Sequence, residues 1–268
     1  MPYSKAHHLM FVLLAVTVIA FWPSYFAVLS EAPLAHHIHG ITATVWILLI
    51  ALQSWLIHHG KRQQHRKAGL LIFIMVPLMT AAFALVTWLG AIKAVGQHPF
   101  YVEIGQALLT ADVLLIFATA LQIYLALKFR RNVHVHSALI ISTLFGLLPP
   151  ILSRLFSNHI PSMQITSLDS MYRFAYAIQL SILVTFLMAL ALALIYRKSR
   201  WPWLLAASIS FIIYLIYSTV GYSVWWGDQT QIIASLNPLI AYGFGFLLGL
   251  FACVLGWHHG KSNQVNKP

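Results

Sequence analysis

What most constrains this chain is a succession of eight uncharged or nearly uncharged apolar stretches, at about 8–30, 37–58, 66–92, 104–128, 135–156, 172–196, 201–221 and 232–257. A bilayer core about 30 Å thick is crossed by roughly 20 helical residues, the length each of these stretches supplies. Only 8% of the 268 residues are charged and 60% are hydrophobic, whereas a soluble domain carries about 25% charged residues. Such a composition cannot cover a water-facing surface. None of the stretches alternates with period two, which excludes a transmembrane barrel. The expected fold is all-α: a polytopic helical bundle of about eight transmembrane helices, forming a single integral domain over residues 1–268. Lys5 and the apolar run after it resemble a signal peptide, but no small-x-small cleavage site follows, so this run is expected to be the first span.

The charges orient the bundle. The net charge of +11 is concentrated in short connections on one side: Lys5, 61–67, 128–131, 197–200, Lys261 and Lys267. Only Lys93, Arg154 and Arg173 fall elsewhere, and the loop acids Glu31, Glu103, Asp169 and Asp228 all lie on the opposite side. This is the positive-inside pattern. It implies cytoplasmic N and C termini and a bacterial inner-membrane location, and it removes nucleic acid as a partner. Cys253 is the single cysteine, so neither an intrachain disulfide nor a thiolate cluster is available. Pro23, Pro77, Pro149-Pro150 and Pro238 are expected to kink helices one, three, five and eight. Gly245 and Gly249 offer a close-packing face, and Tyr222, Trp225 and Trp226 are expected at the interface.

Polar residues concentrate in helices two to five, about 37–156, which are expected to form the functional core, with 172–257 as packing helices. His39, Trp46 and Gln53 are spaced by seven and share a face of helix two. His36, His37 and His39 lie at its outer end; His58, His59 and His65 lie at or beyond its inner end. Asp112 is the only acid inside a span, and ionisable residues at that depth mark function by default. Its depth matches that of His39 and Arg154, so His37, His39 and Asp112 form a candidate metal set, with Arg154 as counter-charge. On the inner side, His65 opens helix three and His136 opens helix five. Facing imidazoles on bundle helices can ligate a haem iron or a transition metal. Gln53 lies near them, and Arg66, Arg130 and Arg131 could meet haem propionates. Zinc-peptidase, P-loop and serine-hydrolase signatures are absent, as are the histidine boxes of di-iron desaturases. Whether the chain is an enzyme stays open.

The segment HIHG (His37, His39, Gly40), Trp46, Gln53 and HRKAG (His65, Arg66, Gly69), with Asp112 and a later His136…Pro149…Arg154, resembles a widespread, poorly characterised group of bacterial multi-pass membrane proteins. The resemblance covers helices two to five. It departs at Ser137 and Ala138, where the group has basic residues. It implies the membrane fold and brings no activity with it.

Three functions are compatible with these residues. The first is a redox protein binding haem b or a transition metal through His65 and His136, working with quinone or a respiratory-chain protein. The second is a proton-coupled transporter using Asp112 and His39. The third is a non-catalytic scaffold or assembly factor, possible as a homo-oligomer.

Overall fold

The computed structural model describes residues 2–262, with side chains to residue 260; the side chain of Lys261 and all of Lys267 lie outside the described residues. Among the described residues there are eleven α-helices and no strand. In order they are α1 (Ala6–Phe21), α2 (Leu34–His58), α3 (Arg62–Gly69), α4 (Ile72–Val95), α5 (Pro99–Lys128), α6 (Val133–Ser142), α7 (Leu148–His159), α8 (Arg173–Ile195), α9 (Arg200–Ser218), α10 (Val224–Ser235) and α11 (Pro238–Ser262). Among the described residues seven helical segments are long and apolar enough to cross a bilayer: α2, α4, α5, α6–α7 together, two segments built on α8 and α9, and α11 to Gly260. The architecture is that of a multi-pass membrane protein whose apolar outer surface suits lipid contact.

Proline sets several helix starts rather than kinks. Pro99 opens α5 and Pro238 opens α11. The missing N–H costs nothing in a first turn, where no intrahelical acceptor exists. Pro23 lies beyond the last residue of α1, which is 16 residues long, about 24 Å at 1.5 Å per residue. The expected helix one is therefore shorter at its outer end, and 3-10 turns from Phe26 to Glu31 complete the connection. Helix eight likewise starts at Pro238 rather than at 232, with α10 a separate segment capped by Ser223, whose hydroxyl accepts from the Trp226 N–H at 3.2 Å. Of the expected kinks, only Pro77 stays inside a helix.

Two expected spans are broken. Helix three divides at Leu70–Leu71 into α3 and α4, because RQQHRKAG is polar all round and buries no residue. Helix five divides at a 3-10 turn, Thr143–Gly146, between α6 and α7. Pro149 and Pro150 cannot donate to the preceding carbonyls, so they sit in the first turn of a new helix.

The largest core cluster joins α2 (Trp46, Ile47, Ile50), α4 (Val76, Met79), α5 (Ile123), the α6–α7 break (Leu144, Leu147) and α11 (Cys253). Gly245 and Gly249 let α11 meet α4 at backbone distance. A Cβ on Gly245 would lie 2.8 Å from the Ala81 Cα, and one on Gly249 would lie 2.9 Å from the Pro77 Cα. Thr80 seals the contact by donating to the Gly245 carbonyl at 2.7 Å. Helix α11 therefore belongs to the central core. A second face packs α8 and α9 against α5 through Ile178, Ile182, Ile213 and Tyr217. Trp226, expected at the interface, is buried and donates its indole N–H to the Gln106 carbonyl at 2.7 Å; Trp225 is exposed. Helix α1 and the turn that follows it lie along α2. The His7 and His59 rings are 6.4 Å apart at one end, and the Tyr25 hydroxyl is 2.8 Å from His37 Nδ1 at the other.

Candidate functional site

The seven-residue face of α2 leads from one polar cluster to another. Trp46, midway, is buried and donates its indole N–H to Thr143 Oγ1 at 3.0 Å. Thr143 occupies the first position of the 3-10 break and itself donates to the Ile140 carbonyl at 2.7 Å. The break thus gives Trp46 its partner.

At the inner end, Gln53 ties α2 to α3. With its amide oriented to satisfy both ends, the nitrogen donates to the His65 carbonyl at 3.1 Å and the oxygen accepts from the Gly69 N–H at 2.8 Å. The same amide nitrogen touches His65 Nδ1, and the Gln53 backbone carbonyl lies 3.3 Å from that nitrogen. His136, from α6, has its Nδ1 at 2.8 Å from the Ala126 carbonyl of α5. The two imidazoles are electrostatic neighbours. In both rings Nδ1 is occupied by a neighbouring helix, so Nε2 is the nitrogen each has to offer. An imidazole oriented in this way through its other nitrogen is the usual arrangement of a metal-ligating histidine. Burial holds the His65 pKa below the ordinary histidine value; the Gln53 carbonyl works against this and the Arg66 charge adds to it. Arg66 is exposed beside His65. Arg130 is an electrostatic neighbour of His136, while its guanidinium stacks 4.3 Å from the Trp257 ring centre and donates to the Leu127 carbonyl at 2.9 Å.

At the outer end, α2, α4, α5 and α7 bring together His36, His39, Lys93, Tyr101, Asp112 and Arg154. Arg154 is an electrostatic neighbour of His36, His39, Tyr101 and Asp112, and Lys93 of His36. Arg154 is turned back along its own helix. It donates to the Pro150 carbonyl at 2.9 Å, and its guanidinium carbon lies 4.2 Å from the Phe21 ring centre. His39 packs against the Phe83 ring at 5.1 Å, and its Nδ1 is buried with no hydrogen-bond partner. Asp112 is surrounded by protein yet keeps some accessible surface.

Compared with known proteins, the chain matches no family model, no curated protein and no solved structure.

The residues singled out in the sequence are distributed as follows. Gln53 contacts His65, with Arg66 and His136 as electrostatic neighbours of that ring; at the other end Arg154 is an electrostatic neighbour of both His39 and Asp112. His37 turns away to Tyr25, since positions two apart on a helix do not face each other; His36, three residues before His39, joins the outer cluster instead. Among the described residues no three His, Cys, Asp or Glu side chains gather closely enough to hold a metal ion.

Sequence reasoning missed Tyr101, Tyr25 and Phe21. Tyr101 had a signal in Gly105. A Cβ there would meet the Tyr101 ring at 2.6 Å, so only glycine at i+4 lets the ring lie along α5 toward Asp112.

Proposed function

We propose that this chain is a redox protein of the bacterial cytoplasmic membrane, holding haem b or a single transition-metal ion between His65 and His136 near its cytoplasmic face. The observation that carries this reading is the shared anchoring of both imidazoles. Each ring has Nδ1 engaged by a helix other than its own, and the two rings are electrostatic neighbours. The donor set fits the group: two neutral imidazoles suit haem iron or copper.

A haem or redox metal bound there would carry one electron at a time. The chain's own residues would hold and tune it. The Gln53 backbone carbonyl, accepting from a protonated Nδ1, would orient His65 with Nε2 free, and the Ala126 carbonyl would do the same for His136. Arg66, exposed at the cytoplasmic edge, offers a charge to an anionic periphery such as a propionate. The expected electron partners are quinone or a respiratory-chain protein.

Eight spans with both termini cytoplasmic complete the reading. The packing of Met10 and Ala20 of α1 in the core cluster with Trp46 and Ile50 of α2 supports counting α1 as a span, short as it is, and an even count puts both charged ends on the positive side.

The test is the visible spectrum of detergent-purified protein, expressed with adequate haem and iron, together with elemental analysis. A Soret band, or one metal ion per chain, is expected. Colourless, folded protein with no stoichiometric metal overturns the reading.

A further inference from the structure

We propose that a groove at the C-terminal end of α1 is a binding site for one membrane phospholipid, its acyl chain along α1 and its phosphate at a polar rim supplied by α7 and the segment after it. The proposal is independent of the inner histidine pair.

The groove has a volume of about 740 Å³ and lies between the last turn of α1, the end of α7 and residues 164–166. Its size falls within the range of ligand sites, about 300–1,000 Å³. One wall is apolar, made by Val18, Ile19, Trp22 and Pro23. The facing wall carries Ser157, Asn158, His159, Gln164 and Thr166.

Hydrogen bonds hold these walls in place. Pro23 has no N–H to give the Ile19 carbonyl, so α1 ends here. The Ala20 carbonyl accepts instead from Asn158 Nδ2 at 3.2 Å, which ties α7 to α1. Gln164 Nε2 donates to the Asn158 carbonyl at 3.0 Å, and Arg173 of α8 donates to the Gln164 carbonyl at 3.4 Å. This chain of bonds joins α1, α7, the segment after it and α8, so the groove is built into the fold.

Its surroundings select the occupant. Val18, Ile19 and Trp22 are exposed. Phe11 and Val12, also exposed, lie seven residues before Val18 and Ile19 and share their face of α1. The apolar wall is thus continuous with the lipid-facing surface of the helix, and the groove fills from the bilayer. A wholly apolar occupant would leave the amides and hydroxyls of the facing wall unpaired, at a cost. A water-soluble one would leave the α1 wall without cover. An amphiphile meets both walls. Among the described residues no Asp or Glu lines the groove. Asn158 and Gln164 each have a second amide proton, Thr166 has a hydroxyl, and Arg173 places a positive charge behind Gln164. Such a donor-rich rim backed by a guanidinium suits a phosphate.

Full-length protein is purified in mild detergent and its co-purified lipid extracted and identified. The protein, stripped of lipid, is then given dioleoyl phosphatidylglycerol or dioleoylglycerol, which lacks the phosphate. Native mass spectrometry counts bound lipid, and the melting temperature is followed alongside. A single phosphatidylglycerol is expected to stay on each chain at concentrations where dioleoylglycerol does not, and to raise the melting temperature. Thr166→Trp and Ile19→Trp, both at exposed positions, should fill the groove and abolish this retention. Phe244→Trp, on the exposed face of α11, should leave it unchanged. Arg173→Gln should weaken it about tenfold or more, the loss of one charge-assisted hydrogen bond. Should one tryptophan variant fail to fold, the other and Arg173→Gln carry the test. The proposal is overturned if dioleoylglycerol is held as well as the phospholipid, if the folded groove variants hold phospholipid like the unaltered protein, or if the co-purified occupant is a quinone in place of a phospholipid.

Discussion

At the level of single residues, side-chain hydrogen bonds decide which polar groups this membrane interior tolerates. Trp46 and Thr143 test this directly, because their 3.0 Å bond crosses between α2 and the α6–α7 break. Interhelical hydrogen bonds in membranes contribute about 0.6 kcal/mol on average and up to about 1.7. Trp46→Phe and Thr143→Val should each destabilise, and the double variant should fall short of their sum by roughly that coupling in denaturant titrations. His65 gives a pH prediction. Its folded pKa lies below that of the unfolded residue, about 6.5, chiefly through burial. Below that pH the unfolded chain takes up a proton that the folded chain resists, so stability falls with acidification and is flat above. His65→Gln should remove this part of the acid sensitivity in melting curves from pH 8 to 5. Of these residues the sequence disclosed the face His39–Trp46–Gln53 and the proximity of His65 to His136, because periodicity and matching depth are properties of the chain itself. It could not disclose that His36 rather than His37 enters the outer cluster, since that depends on the rotation of α2 about its axis, which tertiary packing sets. The route of Tyr101 past Gly105 is a rotamer choice that depends on the neighbouring helix α4.

Helices show a similar division. Their existence was legible in hydropathy, but the two breaks were not, because each apolar run continues through the break. In α6–α7 the side-chain pattern stays apolar while the backbone yields at Thr143–Gly146, ahead of two prolines that cannot donate. In α3–α4 the change is from a polar helix to an apolar one, and the boundary follows the charge. The glycines of α11 differ sharply from one another. A Cβ on Gly243 meets nothing within 4 Å, whereas one on Gly245 meets α4 backbone. Gly245→Val should therefore cost at least about 1–3 kcal/mol by overpacking. Gly243→Ala should be neutral or stabilising by about 0.4–1 kcal/mol. Parallel thermal melts of the two variants check the contrast; equal destabilisation would mean that α11 does not rest on α4 in this register.

For the whole molecule, composition alone made a membrane bundle legible, and the sign of the loop charges supplied an orientation. The division into a four-helix core and three packing helices was less successful as a description of packing, because α11 lies in the central core with α2, α4 and α5. Topology can be checked by labelling. Cys253 is fully buried, so Cys253→Ser gives a background for introduced cysteines. With the protein oriented as the loop charges imply, a cysteine at Gln164 should react with a membrane-impermeant maleimide while the membrane that holds the protein is intact. One at Gln63 should react only after that membrane is breached, and the reverse pattern would invert the orientation. The central claim is that His65 and His136 jointly hold one redox group, and the measurement that bears on it most directly is bound haem or metal per chain in His65→Ala, His136→Ala and His39→Ala, purified alongside the unaltered protein. The account predicts about one group per chain in the unaltered protein and in His39→Ala, and loss of it in each of the other two. Retention in both His65→Ala and His136→Ala, or no bound group in the unaltered protein, would contradict it.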